Sequence, residues 1–189
     1  MGIFIIDFDR TIANGHTHNT IARFYKTIQG PNPSWNAEEQ QDQWNLVKHI
    51  PPITAGNLTW KTVIETMLNN GHQVAIASFS SYPHIIPQYL LQVIGLSADL
   101  VKQVHIEAWL PEQPATANKN NHIMNVLQHF KFAGHKNQVV IIDDAKTNTD
   151  AALAEHFVVI PAHDKLGNPF TDGKHLSLLL TTINNMNTG

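Results

Sequence analysis

The chain has 189 residues, 42% hydrophobic and only 14% charged, with a formal net charge of −3 and no cysteine. That length suits one domain with a sizeable core, and the apolar content argues against a disordered chain. The charge balance offers no basic footprint for a nucleic acid, and the lack of cysteine excludes disulfides, thiolate zinc sites and thiol nucleophiles.

Taken in chain order, the first element is an apolar, β-branched run over residues 3–8, which predicts a buried strand. No apolar run reaches the ~18 residues of a membrane span. The start Met1-Gly2-Ile3-Phe4 lacks a basic region, and Asp7 interrupts the run, so it does not read as a signal peptide. Residues 12–58 break the pattern. They contain Gly30-Pro31-Asn32-Pro33 and Pro51-Pro52, with modest helices predicted over 19–28 and 36–48. This stretch is expected to be a small flap or mini-cap inserted at the carboxyl edge of a sheet. A helix over 60–68 ends at Asn69-Asn70-Gly71, and a second strand follows over 73–78. Next come a helix over 85–94 closed by Gly95, a weaker strand over 102–107 and a helix over 121–130. The series ends with strands over 138–142 and 156–160 and helices over 147–154 and 176–183. Continuous apolar strands alternating with helices predict an α/β, doubly wound parallel sheet. The predicted domain spans 1–183, and the Asn-rich residues 184–189 are expected to be a frayed tail.

In such a sheet, ligands bind beyond the carboxyl ends of the strands. Those ends carry Asp7-Phe8-Asp9-Arg10-Thr11, Ser78-Phe79-Ser80-Ser81 and Asp143-Asp144, and Asn118-Lys119 opens the helix after the third strand. Carboxylates, a hydroxyl and an ammonium at one rim suit phosphoryl transfer. Carboxylates hold Mg²⁺ and serve as nucleophiles, while an ammonium neutralises the phosphoryl group.

These residues resemble the four motifs of the haloacid dehalogenase (HAD) superfamily. Asp7-x-Asp9-x-Thr11 resembles the first motif, Ser78 the second, Lys119 the third, and Ile141-Ile142-Asp143-Asp144 with Asn148 the fourth. Any one arises easily by chance, but the ordered set is specific. The resemblance implies an HAD-like Rossmannoid fold and a phosphatase forming an aspartyl-phosphate. It implies Asp7 as nucleophile and metal ligand, and Asp9 as general acid/base with its carbonyl on Mg²⁺. Ser78 and Lys119 would hold the phosphate, Asp144 and Asp143 would bind Mg²⁺, and Thr11 would brace the motif loop. Phe8, Arg10 and Phe79 are further candidates for substrate contact.

The short insertion makes the chain similar to minimal-cap members of the superfamily, such as the magnesium-dependent phosphatase-1 type, with an open site. That points to a phosphorylated protein as substrate, and to phosphotyrosine if its ring stacks on Trp35, Trp44 or Phe79. The alternatives are a small-molecule phosphatase for sugar phosphates or nucleotides, and a non-catalytic HAD-like binding module. The protein is expected to be a cytoplasmic monomer, and its composition also suits a bacterial effector delivered into a host cell. His16-Thr17-His18 has no third ligand at zinc spacing and reads as a pair of solvated flap residues, with His16 able to reach a substrate phosphate. The tryptophans are more often core than recognition surface.

Overall fold

The computed structural model describes residues 1–187. Five parallel strands, β1 (Ile3–Ile6), β2 (Gln73–Ser78), β3 (Val104–Ala108), β4 (Val139–Asp143) and β5 (Val158–Pro161), form one sheet in the order β3-β2-β1-β4-β5. The alternation of side chains along each strand divides the core in two. Phe4, Ile6, Val74, Ile76, Val140 and Ile142 face one layer, while Ile3, Ile5, Ala75, Ala77, Val139 and Ile141 face the other. Both faces are apolar because both are covered. The chain is thus an α/β sheet of the doubly wound kind.

The first face packs against α3 (Trp60–Asn69) and α8 (Lys174–Asn187), among others. In α3 the apolar residues Trp60, Val63, Ile64 and Met67 recur at helical spacing and are fully buried. Each such side chain contributes about 1.5–3 kcal/mol on burial. The Thr59 hydroxyl accepts from the Thr62 N–H at the helix start, and Gly71, at φ 75°, turns the chain into β2. The second face packs against α6 (Asn120–His129) and α7 (Lys146–Ala154), through Ile123, Val126 and Ala152. After β2 comes α4 (Ile85–Tyr89), which runs into a π-helical turn over Leu90–Ile94 and stops at the left-handed Gly95, followed by α5 (Ala98–Val101).

The inserted segment departs from expectation in one respect. Its first helix, α1 (Thr17–Ala22), ends well before residue 28. The Ile28 N–H, which a helix reaching residue 28 would donate four residues back, donates instead to Ser81 Oγ at 3.0 Å, and Ser81 Oγ in turn donates to Ile28 O at 2.9 Å. Its second helix, α2 (Ala37–Val47), matches the expected range because Asn36 and Glu39 form a capping box. The expected tail is also corrected. Residues 184–187 continue α8, and Met186 packs onto the first core layer, so the helix gains buried surface there. The last two residues of that expected tail lie outside the described residues.

Two features tie the start of α8 to the chain between β1 and α3. Gly173 sits at φ 72°, and a Cβ there would lie 2.4 Å from Thr54 O, so only glycine permits this approach. The buried His175 donates from Nε2 to Thr11 O at 2.9 Å.

Gln43 in α2 is fully buried, and neither of its side-chain amide atoms meets a hydrogen-bonding partner. An unsatisfied buried amide costs roughly 1–3 kcal/mol. Gln43→Met, similar in length and unbranched, is therefore expected to raise the melting temperature by about 3 °C or more. A lowered melting temperature in a thermal scan would contradict this reading of the interface.

Candidate active site

The sheet order places a switch point beside β1. The chain runs from β1 outward through β2 to β3, then crosses to the other side of β1 to lay down β4 and β5. The crevice beyond the carboxyl ends of β1 and β4 is where such a sheet binds ligands. Asp7 follows β1 directly, with its N–H bonded to Ile142 O at 2.8 Å, and Asp143 ends β4. Backbone pairing alone therefore brings two carboxylates together across 136 residues of sequence (143 − 7).

Lys119, at the start of α6, reaches between them. Its Nζ bonds Asp7 Oδ1 and, at 2.8 Å, Asp143 Oδ2. All three are deeply buried, with Lys119 4% exposed, Asp7 7% and Asp143 1%. Asp7 Oδ2 accepts from the Thr11 hydroxyl at 3.0 Å. Asp143 Oδ1 accepts from Ala145 N, and the Asn148 amide donates to both Asp143 oxygens. Every oxygen of these two carboxylates is thus fixed in place.

The charges do not balance. Ligand oxygens of Asp7, Asp143 and Asp144 all lie within 4.8 Å of one another, and three carboxylates face one ammonium. Burial pushes Asp7 well above the usual carboxylate range, against the pull of Lys119, with Asp143 and Asp144 adding to the rise. Burial and then Asp143 push Asp144 up as well. Burial opposes the charge on Lys119, but Asp143 and Asp7 outweigh it and hold the ammonium protonated. A cluster of hard oxygens with an excess of two negative charges fits a divalent cation such as Mg²⁺. It is the only such metal-competent group among the described residues, so the His16 and His18 pair forms none.

A cavity of about 500 Å³ opens above this cluster. Asp7, Asp9, Ser78, Phe79, Lys119, Asp143, Asp144 and Asn148 line it, as do His16, His18 and Gln29 from the insertion. The insertion thus supplies part of the wall. Asp9 also holds the start of α1 there. Its Oδ1 accepts from the Thr17 N–H at 2.9 Å and hydroxyl at 2.7 Å, and its Oδ2 accepts from the His18 N–H at 3.1 Å. The carboxylate thereby caps α1, whose own N-cap position offers no side-chain bond.

Several expected contacts do not occur. Phe8 does not line the cavity: its ring is in the core, edge-on to Tyr89 at 5.2 Å, because it continues the inward parity of Phe4 and Ile6. Arg10 sits at φ 61°, exposed and outside the cavity lining. Trp35 and Trp44 are buried at 7% and 3%, so neither presents a face for an aryl ring. Trp35 instead donates its indole N–H to Ser81 O at 2.7 Å. Lys102, which precedes β3, is exposed and pairs with Asp99.

Phe79 does line the cavity, and its ring is held from behind. His122 packs on it at 5.0 Å and stacks on Trp109 at 4.0 Å. Burial drives His122 down to about 4, so it is a neutral ring at neutral pH. Trp109 is anchored by its indole N–H to Glu107 at 2.6 Å. Burial would raise Glu107, but bonds from His105, Asn125 and Trp109 outweigh it and bring it to about 2.

Among solved structures, the fold is similar to CbbY from Rhodobacter sphaeroides in complex with xylulose-1,5-bisphosphate. The TM-score is 0.55 at 16% identity, over 85% of this chain and 87% of that one. It is also similar to the N-terminal part of BF1531 from Bacteroides fragilis, containing a phosphatase domain complexed with Mg (TM-score 0.54, 16% identity, 97% of this chain and 40% of that one). A substrate-bound phosphoserine phosphatase matches with a TM-score of 0.54 at 14% identity, over 96% of this chain and 97% of that one. This chain shares the fold of these solved structures. The sequence matches no family model and no curated protein. At these identities the shared fold is the finding, and the chemistry rests on the site. Among the described residues no helix is long and apolar enough to cross a membrane.

The residues overlooked in the sequence are those of the insertion wall. His18 was read as solvated but is half-buried, and its Nδ1 accepts from the Ser81 N–H at 3.3 Å. Thr27, Gln29, Leu110 and Pro114 also line the cavity and carry no motif.

Proposed function

We propose that this protein is a Mg²⁺-dependent phosphomonoester hydrolase that works through an aspartyl-phosphate on Asp7, with phosphotyrosine on proteins as its preferred substrate. The observation that carries the chemistry is the buried Asp7–Lys119–Asp143 bridge beside Asp144 at the switch point of an HAD fold.

In this reading an Asp7 oxygen attacks phosphorus, the bond to the leaving oxygen breaks, and Asp9 delivers a proton to that oxygen. Water then attacks the phosphorus of the acyl-phosphate while Asp9 takes its proton, releasing phosphate and restoring Asp7. Lys119 neutralises the phosphoryl oxygens as charge shifts, and Ser78 donates to one of them. Thr11 and Asn148 keep the two buried carboxylates aimed. Asp7, Asp143, Asp144 and the Asp9 carbonyl would hold Mg²⁺, which when bound offsets the excess negative charge of the site.

The lining of the cavity supports the aryl preference. Phe79, Leu110 and Pro114 offer apolar surface suited to a ring, and Lys119 is the only Lys or Arg in the lining. A bisphosphate would bring a second dianion with no second Lys or Arg to meet it. A second reading, a small-molecule phosphatase, draws on the cavity volume, which is within the range of metabolite sites. A panel of phosphotyrosine peptide, phosphoserine peptide and sugar bisphosphate, each with Mg²⁺ and with EDTA, separates the two. Preferred turnover of the phosphotyrosine peptide, abolished by EDTA, is expected. Preferred turnover of the bisphosphate would establish the second reading, and EDTA-resistant turnover would refute the metal requirement.

A further inference from the structure

The insertion is fastened to the loop after β2 by a set of buried bonds centred on Ser81. Ser81 Oγ accepts from Ile28 N at 3.0 Å and donates to Ile28 O at 2.9 Å, while Ser81 O accepts from the Trp35 indole at 2.7 Å. The remaining main-chain group of Ser81, its N–H, donates to Nδ1 of His18. The His18 ring rests on Tyr82 with centroids 5.3 Å apart, and its own N–H is bound to Asp9. His18 is therefore held at three points: ring nitrogen, ring face and main chain.

This arrangement decides the tautomer. A nitrogen that accepts an N–H carries no proton, so in the neutral ring the proton is on Nε2. His18 lines the cavity, and Nε2 is not among the buried unpartnered atoms, which leaves Nε2–H as a free donor at the wall. Of its neighbours in the lining, Asn19, Thr27 and Gln29 are uncharged while Asp9 and His16 are ionisable, and Gln29 already spends one amide N–H on Glu112 O at 3.0 Å.

We propose that His18 is a specificity-determining residue whose Nε2–H donates to an uncharged acceptor of the leaving group, a peptide carbonyl beside the phosphorylated side chain. The inference rests on the phosphatase reading above. A fixed donor loses little freedom on binding, so its hydrogen bond contributes to affinity with little ordering cost. The same wall has no Lys or Arg for a second anionic group, so it reads the leaving group by hydrogen bonding.

The test compares His18→Leu, His18→Gln and the native chain on a phosphotyrosine peptide and on p-nitrophenyl phosphate, which has no peptide carbonyl. Loss of one such bond is worth about tenfold. His18→Leu is expected to lower the ratio of kcat/KM for the peptide over p-nitrophenyl phosphate about tenfold, through KM, and His18→Gln to restore most of it. An unchanged ratio overturns the proposal, and so does an equal fall of kcat on both substrates, which would place His18 at the phosphate. Fluorescence anisotropy of the labelled peptide on Asp7→Asn, with and without His18→Leu, reads the same contact without turnover. Equal affinity of those two chains overturns the proposal even if the native chain hydrolyses neither compound, a result that would separately refute the phosphatase reading.

Discussion

Asp7→Asn is expected to lower phosphatase turnover by roughly 10⁴-fold or more, about 5.4 kcal/mol of transition-state stabilisation. The amide is a poor nucleophile and cannot form the acyl-phosphate. It is close to the carboxylate in size, so Thr11 and Lys119 keep a partner of similar shape. The substitution removes one charge from an over-anionic cluster, so folding is expected to be preserved or improved. Circular dichroism and a thermal scan beside the kinetic assay separate lost chemistry from lost structure. A folded Asp7→Asn chain with native turnover would exclude Asp7 as nucleophile.

Lys119→Met is expected to damage both activity and stability. Loss of a preorganised cation at the phosphoryl group costs about 10²–10³-fold in kcat. Removing one partner of a buried ion pair costs about 3–5 kcal/mol, because the other charge stays buried. Here Asp7, Asp143 and Asp144 would be left facing each other. The sign with pH follows from Asp7 and Asp144, whose pKa values are raised in the folded chain. A raised pKa means stability that is full below the unfolded value and is lost as pH rises through the folded one. In EDTA, Lys119→Met should therefore unfold more easily as pH rises above the ordinary carboxylate range, with a steeper slope than the native chain. Mg²⁺ should recover part of the loss by binding the folded state. Native-like stability of the variant at neutral pH in EDTA would contradict the charge assignment.

Much of this arrangement was legible in local sequence, for physical reasons. The runs 73–78 and 138–142 are apolar without alternation because both faces of the sheet are covered, and that fixed their place in a parallel sheet. The acidic residues are the first polar positions after such runs, and strand pairing then forces Asp7 and Asp143 together. Phe8 was readable too: it shares parity with Phe4 and Ile6, which assigns it to the core and not to substrate. What local sequence could not show are bonds between distant segments. Trp35 looks like a recognition aromatic until its indole is seen to serve Ser81, 46 residues away. His18 looks solvated until Ser81 and Asp9 are seen on either side of it. The helix α1 is shorter than its pattern because Ser81 claims the Ile28 N–H, and α8 is longer because Met186 finds the core.

The central claim is a covalent phosphoryl group on Asp7. It is tested most directly by acid-quenching Asp9→Asn during turnover of p-nitrophenyl phosphate with Mg²⁺, then locating the phosphoryl group by peptide mass spectrometry. The good leaving group needs little help from Asp9, so the first step proceeds while the second is slowed. One phosphoryl group on the peptide bearing Asp7, removed by hydroxylamine and missing when Asp7→Asn is added, is the predicted result. A phosphoryl group on another residue, or hydrolysis that continues in Asp7→Asn with no phosphorylated chain, would contradict it.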